Sequence, residues 1–404
     1  MKIDEKFIDE KLLQAAENEK GNRNGSSDYP ASVGSKKGDP SKARRDLREA
    51  SGRALDHIWT TSWLKEGISP DTASRVEKVS EIVSGLCNVA DKVIIVAPLA
   101  AAHAIGAVVR AVGAEPASET VAARADNFLM AGNSLSAFEY KKILNDVRGK
   151  RLAMIAISCG HEELGEIAAC SIVEKLIADR HGPEELEQRI TAITGRRGEY
   201  LRAMAARGSA RMYVLSEDID EGSFAGCGGF LIPLAAAGID ATEFLSGFKS
   251  MLSSTIWDMD GDRYGVLMAG LAKEKAREDI LFWQEELSEM AEWICALHRR
   301  AGVDSRVIHA PGENLYLAEN AFRTHLFCAK EGSDVMTPIF PGASSEGTLN
   351  MLTAEKQEEA FVETGNRNPR MRFTIEDCKP HSIGEAMAFF QLSNEIAMHI
   401  VSEQ

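Results

Sequence analysis

The segment DKVIIVAPLAAAHAIGAVVRAVG, residues 91–113, constrains this chain more than any other. Lys92 to Ala97 is a short β-branched run with no polar face, and a helix-forming stretch starts immediately at Pro98, whose fixed φ suits a first helical turn. A strand that is apolar on both faces has to be covered on both, which points to a parallel sheet between helical layers. The apolar run from Val93 to Val109 spans 17 residues, is broken by Pro98 and carries His103, so it falls short of a membrane span.

The same alternation recurs. ADNFLMAG (125–132) is a weaker strand followed by the helical SLSAFEYKKILNDV. RLAMIAIS (151–158) is a clear buried strand, followed by the helix EELGEIAACSIVEKLIADRHG. ARMYVLS (210–216) reads as a further strand, reached through charged helices. In the second half GGFLIPLAAAGI, TEFLSGFKSMLSSTIW and YGVLMAGLAKEKA read as helices. DILFW (279–283), SRVIHAPG (305–312), DVMTPIF (335–341) and MRFTIED (371–377) read as strands, separated by ELSEMAEWICALHRRAG, ENLYLAENAFRTH and TLNMLTAEKQEEAFVE and closed by IGEAMAFFQLSNEIAMHIVSE. Strand and helix taking turns across Gly-marked joints predicts an α/β protein with parallel sheets covered on both faces.

With 404 residues the chain exceeds one ordinary core. The expected division is an N-terminal helix and extended arm at 1–50, one doubly wound α/β domain at 51–220 and a second at 221–404. Residues 1–19 are expected to form a short surface helix, and the Gly-, Ser- and Pro-rich 20–43 an arm. The basic residues Lys36, Lys37, Lys42, Arg44, Arg45 and Arg48 balance an acidic body, and Phe7, Leu12 and Leu13 are candidate anchors onto a second subunit of a homodimer.

Charge and cysteine content narrow the function. Lys plus Arg is 46 and Asp plus Glu is 61, a net −15, so neither nucleic acid nor an anionic membrane is an expected partner. Seven scattered cysteines without a C-x-x-C pair read as reduced thiols, and no apolar h-region opens the chain, so a cytoplasmic protein is expected. The run DMDGD (258–262) has Ala269 where a calcium loop carries its last glutamate, so no metal, and no cofactor, is expected.

Ligands of open parallel sheets bind beyond the carboxyl ends of the strands. One such joint holds Ser158, Cys159, Gly160, His161 and Glu162, where a hydroxyl meets the free amides of a helix start. A second, SEDIDEGSFAGCGGF, brings Ser223 and Gly222, Gly226, Gly228 and Gly229, which let backbone approach a ligand or another backbone. Acidic residues stand between strand and glycines, so a dinucleotide site is not expected. His298, Arg299 and Arg300 close a helix as possible acid, base and anion clamp, against a reading as cations that satisfy the helix dipole. His309 and Glu313 form a candidate acid–base pair at a strand end, against a capped helix start.

GSFAGCGGFLIPLAAAGIDATEFLSGF resembles the signature segment of phosphoglucose isomerases, in which G-G-R-F-S precedes an L-L-P-x-A-x-A-G-I-D helix. IAISCGHEELGE lies where that family has its phosphate loop, EELSEMAEWICALHRRAG resembles its L-x-x-x-x-E-W helix, and KPHSIGEAMAFFQLSNEIAMHI a later one. The resemblance covers about residues 85–404, and its specific part is Pro233 to Asp240. It implies two sugar-isomerase domains, a sugar or sugar-phosphate ligand and a homodimer with the site at the subunit interface.

Departures from the family are equally visible. Ala97, Pro98, Leu99 and Ala100 replace its first glycine-rich loop, and the signature arginine falls at or beside Ser223. Ser158 alone remains of the phosphate-loop hydroxyls, with Cys159 and Glu162 in their place. The family's glutamate base aligns near Arg300, its active-site histidine near Arg323 with His325 two residues on, and its closing lysine segment has no counterpart before Gln404. The expectation is a divergent sugar isomerase with His298, His325 and Glu313 as catalytic candidates. Ser158, Cys159, Gly160, Glu162, Ser223, Gly226, Gly228, Arg300 and Arg323 would bind the ligand. A non-catalytic sensor or scaffold, and an enzyme for a non-phosphorylated substrate, are the alternatives.

Overall fold

The computed structural model describes residues 1–6, 52–114, 127–258, 260–310, 321–330, 334–337, 347–362 and 368–402. In chain order they form β1 (Lys2–Lys6), a helix at 52–58, α1 (Ser62–Ile68), α2 (Thr72–Val89), β2 (Lys92–Val96), α3 (Leu99–Gly113), β3 (Phe128–Ala131), α4 (Ala137–Asp146), β4 (Leu152–Ser158), α5 (Leu164–His181), α6 (Leu186–Arg189), β5 (Ile190–Thr194), α7 (Glu199–Ala206) and β6 (Arg211–Val214). The second half contributes α8 (Gly228–Ala236), α9 (Ala241–Asp258), α10 (Asp260–Lys273), β7 (Arg277–Phe282), α11 (Ser288–Arg300), β8 (Asp304–His309), β9 (Phe322–Lys330), β10 (Met336–Thr337), β11 (Gly347–Thr348), α12 (Leu349–Val362), β12 (Arg370–Asp377) and α13 (Pro380–Ser402).

Two five-stranded sheets carry the fold, ordered β3-β2-β4-β5-β6 and β1-β12-β9-β7-β8. The first is parallel throughout, and residues 91–97, 151–158 and 210–216 all lie in it, as the alternation predicts. Every residue of β4 is buried, each large aliphatic one there contributing about 1.5–3 kcal/mol. In the second sheet β8, β7, β9 and β12 are parallel, and β1 closes the edge antiparallel to β12.

Four sequence expectations are corrected here. Residues 2–6 form strand β1, not the start of a helix, because Lys2 to Lys6 complete the ladder along β12 and Asp4 meets Arg372 at 2.7 Å. ITAIT, read as part of a charged helical stretch, is the buried strand β5. The end of ENLYLAENAFRTH belongs to the central strand β9, not a helix. Of DVMTPIF only Met336–Thr337 is a described strand, and it pairs with β11 outside the two main sheets. The arm residues 7–50, with Phe7, Leu12, Leu13 and the basic cluster, lie outside the described residues.

A continuous apolar core joins the two halves. Its centre is α8, GGFLIPLAA, buried on nearly all sides and packed on α2 and α3, while α13, whose AMAFFQLSN stretch is buried throughout, packs on α9 and α10. Helix α11 buries Met290, Trp293, Ile294 and Leu297, the spacing of one helical face. It meets α3 across the halves through His103 Nδ1 and Glu289, 2.7 Å apart. Among the described residues no helix is long and apolar enough to cross a membrane.

Candidate active site

In the first sheet the strand order reverses at β2, between β3 and β4, and loops leave the carboxyl ends of these strands in opposite directions. A cleft of about 480 Å³ opens there. Pro98 and Leu99 after β2, Asn133 and Ser134 after β3, and the start of α5 line it. Gly132, at φ +104°, and Gly165 form its floor: a Cβ on Gly165 would collide with the Gly132 carbonyl oxygen, so the α5 turn sits directly on the β3 loop.

Glu163, Glu166 and Glu221 are among the residues that line this space. Glu166 is only 6% exposed, and its Oε2 has no hydrogen-bond partner. Burial pushes its carboxyl up to about 7; a bond from the Glu163 backbone N–H opposes this, while the charges of Glu221, Glu163 and Glu162 add to it. Glu221 is raised as well, first by burial, with Asp220 and Glu163 adding and Arg300 and the Ala100 N–H opposing. Beside Asp218, Asp220 and Arg300, Glu395 of α13 is raised to about 8 by burial and by Asp220 and Asp218, against Arg300. Glu166 and Glu395, at about 7 and about 8, are poised to exchange protons near neutral pH, the range in which general acid–base catalysis works best.

The loop 218–223 ties this site to the second half. Asp220 Oδ1 accepts from the Gly222 and Ser223 amides at 2.9 and 3.0 Å, and Asp220 Oδ2 takes Arg300 at 2.6 Å. Ser223 and Arg300 are thus brought together by Asp220, the residue before Glu221, and each is bonded to it.

The remaining expected residues are placed elsewhere. Ser158 Oγ donates to the Gly160 carbonyl inside its own loop, and burial raises the Cys159 thiol well above its ordinary range. The pocket beside Cys159 and Gly160 is about 10 Å³, room for one water, and Arg196 at its rim pairs with Glu217. Glu162 accepts the Leu201 amide at the start of α7 and so caps that helix. Gly226, at φ +80°, leaves room for the Phe248 ring, and Gly228 for the Tyr213 hydroxyl.

His298 is 1% exposed and holds the buried Glu278 at 2.7 Å. Burial acts to raise Glu278, but His298, Ser305 and Thr324 bond it and keep it below the usual carboxylate range. The group is a buried buttress at the amino-terminal end of β7, the opposite end from ligand crevices. His325 sits mid-strand in β9 against Trp283 and Phe361, with both ring nitrogens unpartnered. Burial, and then Arg370, Arg323 and Arg372, lower it to about 3, so it is neutral at neutral pH. Arg323 is buried beside it on the same strand. His309 stacks on Phe282, and Glu313 lies outside the described residues.

Glu163, Glu166, Glu221 and Glu395 were not singled out from sequence. The one local signal was the E-E-x-x-E spacing of Glu162, Glu163 and Glu166, which brings the last two onto one helical turn. Among the described residues no three histidine, cysteine or carboxylate groups converge to hold a metal.

No family model matches the chain. It is 24% identical over 301 residues to a glucose-6-phosphate isomerase of Alkaliphilus metalliredigens (strain QYMF), across 67% of this chain and 66% of the relative. It is 26% identical over 296 residues to one of Streptococcus thermophilus (strain ATCC BAA-491 / LMD-9), with the same coverage of 67% and 66%. The chain thus spans just under two thirds of these curated relatives. In structure it is similar to a hypothetical protein of Thermus thermophilus, with a TM-score of 0.73 and 15% identity over 89% of this chain and 90% of that one. A glucose-6-phosphate isomerase of Chlamydia trachomatis D/UW-3/Cx superposes with a TM-score of 0.65 and 9% identity over 89% and 81%. Fold and sequence together relate this chain to the phosphoglucose isomerase superfamily.

Proposed function

We propose that the protein is a sugar isomerase of this superfamily that works from the cleft at the β2–β4 crevice, with Glu166 as the proton-transfer group. The observation that carries this reading is Glu166 itself, a buried carboxyl group at about 7 with a free oxygen, lining a cleft of about 480 Å³. Aldose–ketose isomerisation moves a proton between adjacent carbons, and a carboxylate poised near neutrality suits both taking and returning it. Glu221, raised in the same cleft, is the partner for proton movement at the sugar oxygens. The isomerases named above lend support through relatedness alone, since a shared fold does not carry an activity.

Incubation with aldoses in heavy water tests the reading. Deuterium should enter at the carbon next to the carbonyl, and Glu166→Gln should slow exchange about 10²–10⁴-fold. Exchange at full rate in Glu166→Gln, or none with any aldose or aldose phosphate, would overturn it.

A homodimer belongs to the same proposal. Leu99, Leu135 and Leu164 at the cleft mouth and Phe138 on α4 are 55%, 62%, 68% and 77% exposed, a concentration of apolar side chains that a second copy of the chain would cover.

A further inference from the structure

We propose that Cys328 and Cys378 are a redox pair that closes to a disulfide and clamps strand β9 to the start of helix α13. Their Sγ atoms stand 3.6 Å apart, in van der Waals contact, and both residues are buried. A disulfide holds its sulfurs about 2.0 Å apart, so the two have about 1.5 Å to close. The backbone at each cysteine is fixed, which makes this approach a property of the fold. Gln284 Oε1 accepts the Cys328 amide at 3.2 Å, and Gln284 Nε2 donates to the Cys328 carbonyl at 3.1 Å. Next to Cys378, Asp377 Oδ1 accepts the Ser382 hydroxyl at 2.6 Å and the Lys379 amide at 3.2 Å. The two strands run parallel and in register, with Ile375 opposite Cys328 and Asp377 opposite Lys330. Other cysteines are placed differently: Cys87 is exposed, and Cys295 Sγ donates to the Ser305 carbonyl at 3.3 Å.

Cys378 lies in the joint between β12 and α13, and the side chains of Lys330, Glu376 and Lys379 around that joint are exposed. Local opening of the joint, or folding of the chain itself, presents the thiols to a small disulfide such as oxidised glutathione. One protein thiolate attacks a glutathione sulfur, which breaks the glutathione S–S bond and leaves a mixed disulfide and one reduced glutathione. The second protein thiolate then attacks the protein sulfur of the mixed disulfide and releases the second glutathione. One S–S bond forms as one breaks, and the two protein thiol protons end on the two glutathione thiols. The protein pair is oxidised by two electrons and glutathione disulfide is reduced by two. The new bond spans 50 residues and ties α13, which packs on α9 and α10, to a central strand of the second sheet. It stabilises the fold chiefly by restricting the unfolded chain.

Refolding the full chain from denaturant in buffers of oxidised and reduced glutathione tests this, because the unfolded chain exposes every thiol to the oxidant. Acid quenching and peptide mapping by mass spectrometry then locate the bonds. In the oxidising buffer most of the folded protein should carry the Cys328–Cys378 cross-link, two hydrogens lighter than the same peptides reduced. That protein should melt about 3–8 °C above the reduced form, and a dithiol reductant should reverse both changes. Folded protein treated with oxidised glutathione should form the same cross-link more slowly than it takes glutathione onto the exposed Cys87. Cys378→Ala should abolish the cross-link and the shift in melting, and mapping of the parent chain decides the pairing whether or not that variant folds. Both thiols left free in the oxidised, folded protein would overturn the proposal. So would a bond from either to another cysteine, or a cross-linked protein that melts no higher than the reduced one.

Discussion

Glu166 shows how one buried carboxyl group sets both chemistry and stability. Its folded pKa of about 7 lies above the ordinary 4.5, so the folded state holds a proton that the unfolded chain releases. The penalty is absent below pH 4.5, accumulates as pH rises to 7 and is complete above it. Glu166→Gln should therefore stabilise the protein by about 1–3 kcal/mol at pH 8 and change little at pH 4.5, as denaturant melts at the two values will show. His325 works with the reverse sign. Its pKa is lowered from 6.5 to about 3, so stability present above pH 6.5 is lost as pH falls toward 3. His325→Phe, filling the space between Trp283 and Phe361, should lose about 3 kcal/mol less than the parent chain between pH 6.5 and pH 4. A wild-type acid profile in that variant would show that the histidine does not contribute. Neither role was legible from residue type: the His325 motif position suggested catalysis, whereas its place inside a central strand leaves it dry and neutral.

Elements read well where their pattern was continuous and poorly where it was short. β2 and β4 are apolar on both faces and were evident as strands. β5 has five residues and follows directly on α6, so a single turn of helix masked it. β9 reads FRTHLFCAK; Arg323 and His325 interrupt its apolar character because they are buried polar residues, which no periodicity rule anticipates. The crossing of α9 and α13 is another feature set by contact. Gly384 lets the Phe244 carbonyl and the Phe248 amide of α9 lie against α13, backbone to backbone. Gly384→Ala has to part the helices, and should cost about 1–3 kcal/mol by thermal or urea melts, with near-UV signals of the Phe244–Phe248 cluster altered.

At the level of the whole molecule, the apolar residues around the cleft mouth make dimerisation testable apart from stability. Phe138→Glu changes a side chain that is 77% exposed, so it should leave the melting midpoint within about 0.5 kcal/mol and shift the protein toward monomer in light scattering. An unchanged mass would remove this face from the proposed interface. The alternation of strand and helix, the count of apolar runs and the Pro233 to Asp240 stretch were enough to establish an α/β architecture with a sugar-isomerase resemblance, because those features are local and periodic. The strand order, the pairing of β1 with β12, the meeting of Glu166 with Glu221 and that of Glu395 with Asp218, Asp220 and Arg300 were decided only by the tertiary structure. Glu166 and Glu221 lie 55 positions apart and Asp220 and Glu395 lie 175 apart, and a carboxyl group's proton affinity depends on burial and on the charges that folding brings beside it, neither of which is written in its neighbours along the chain.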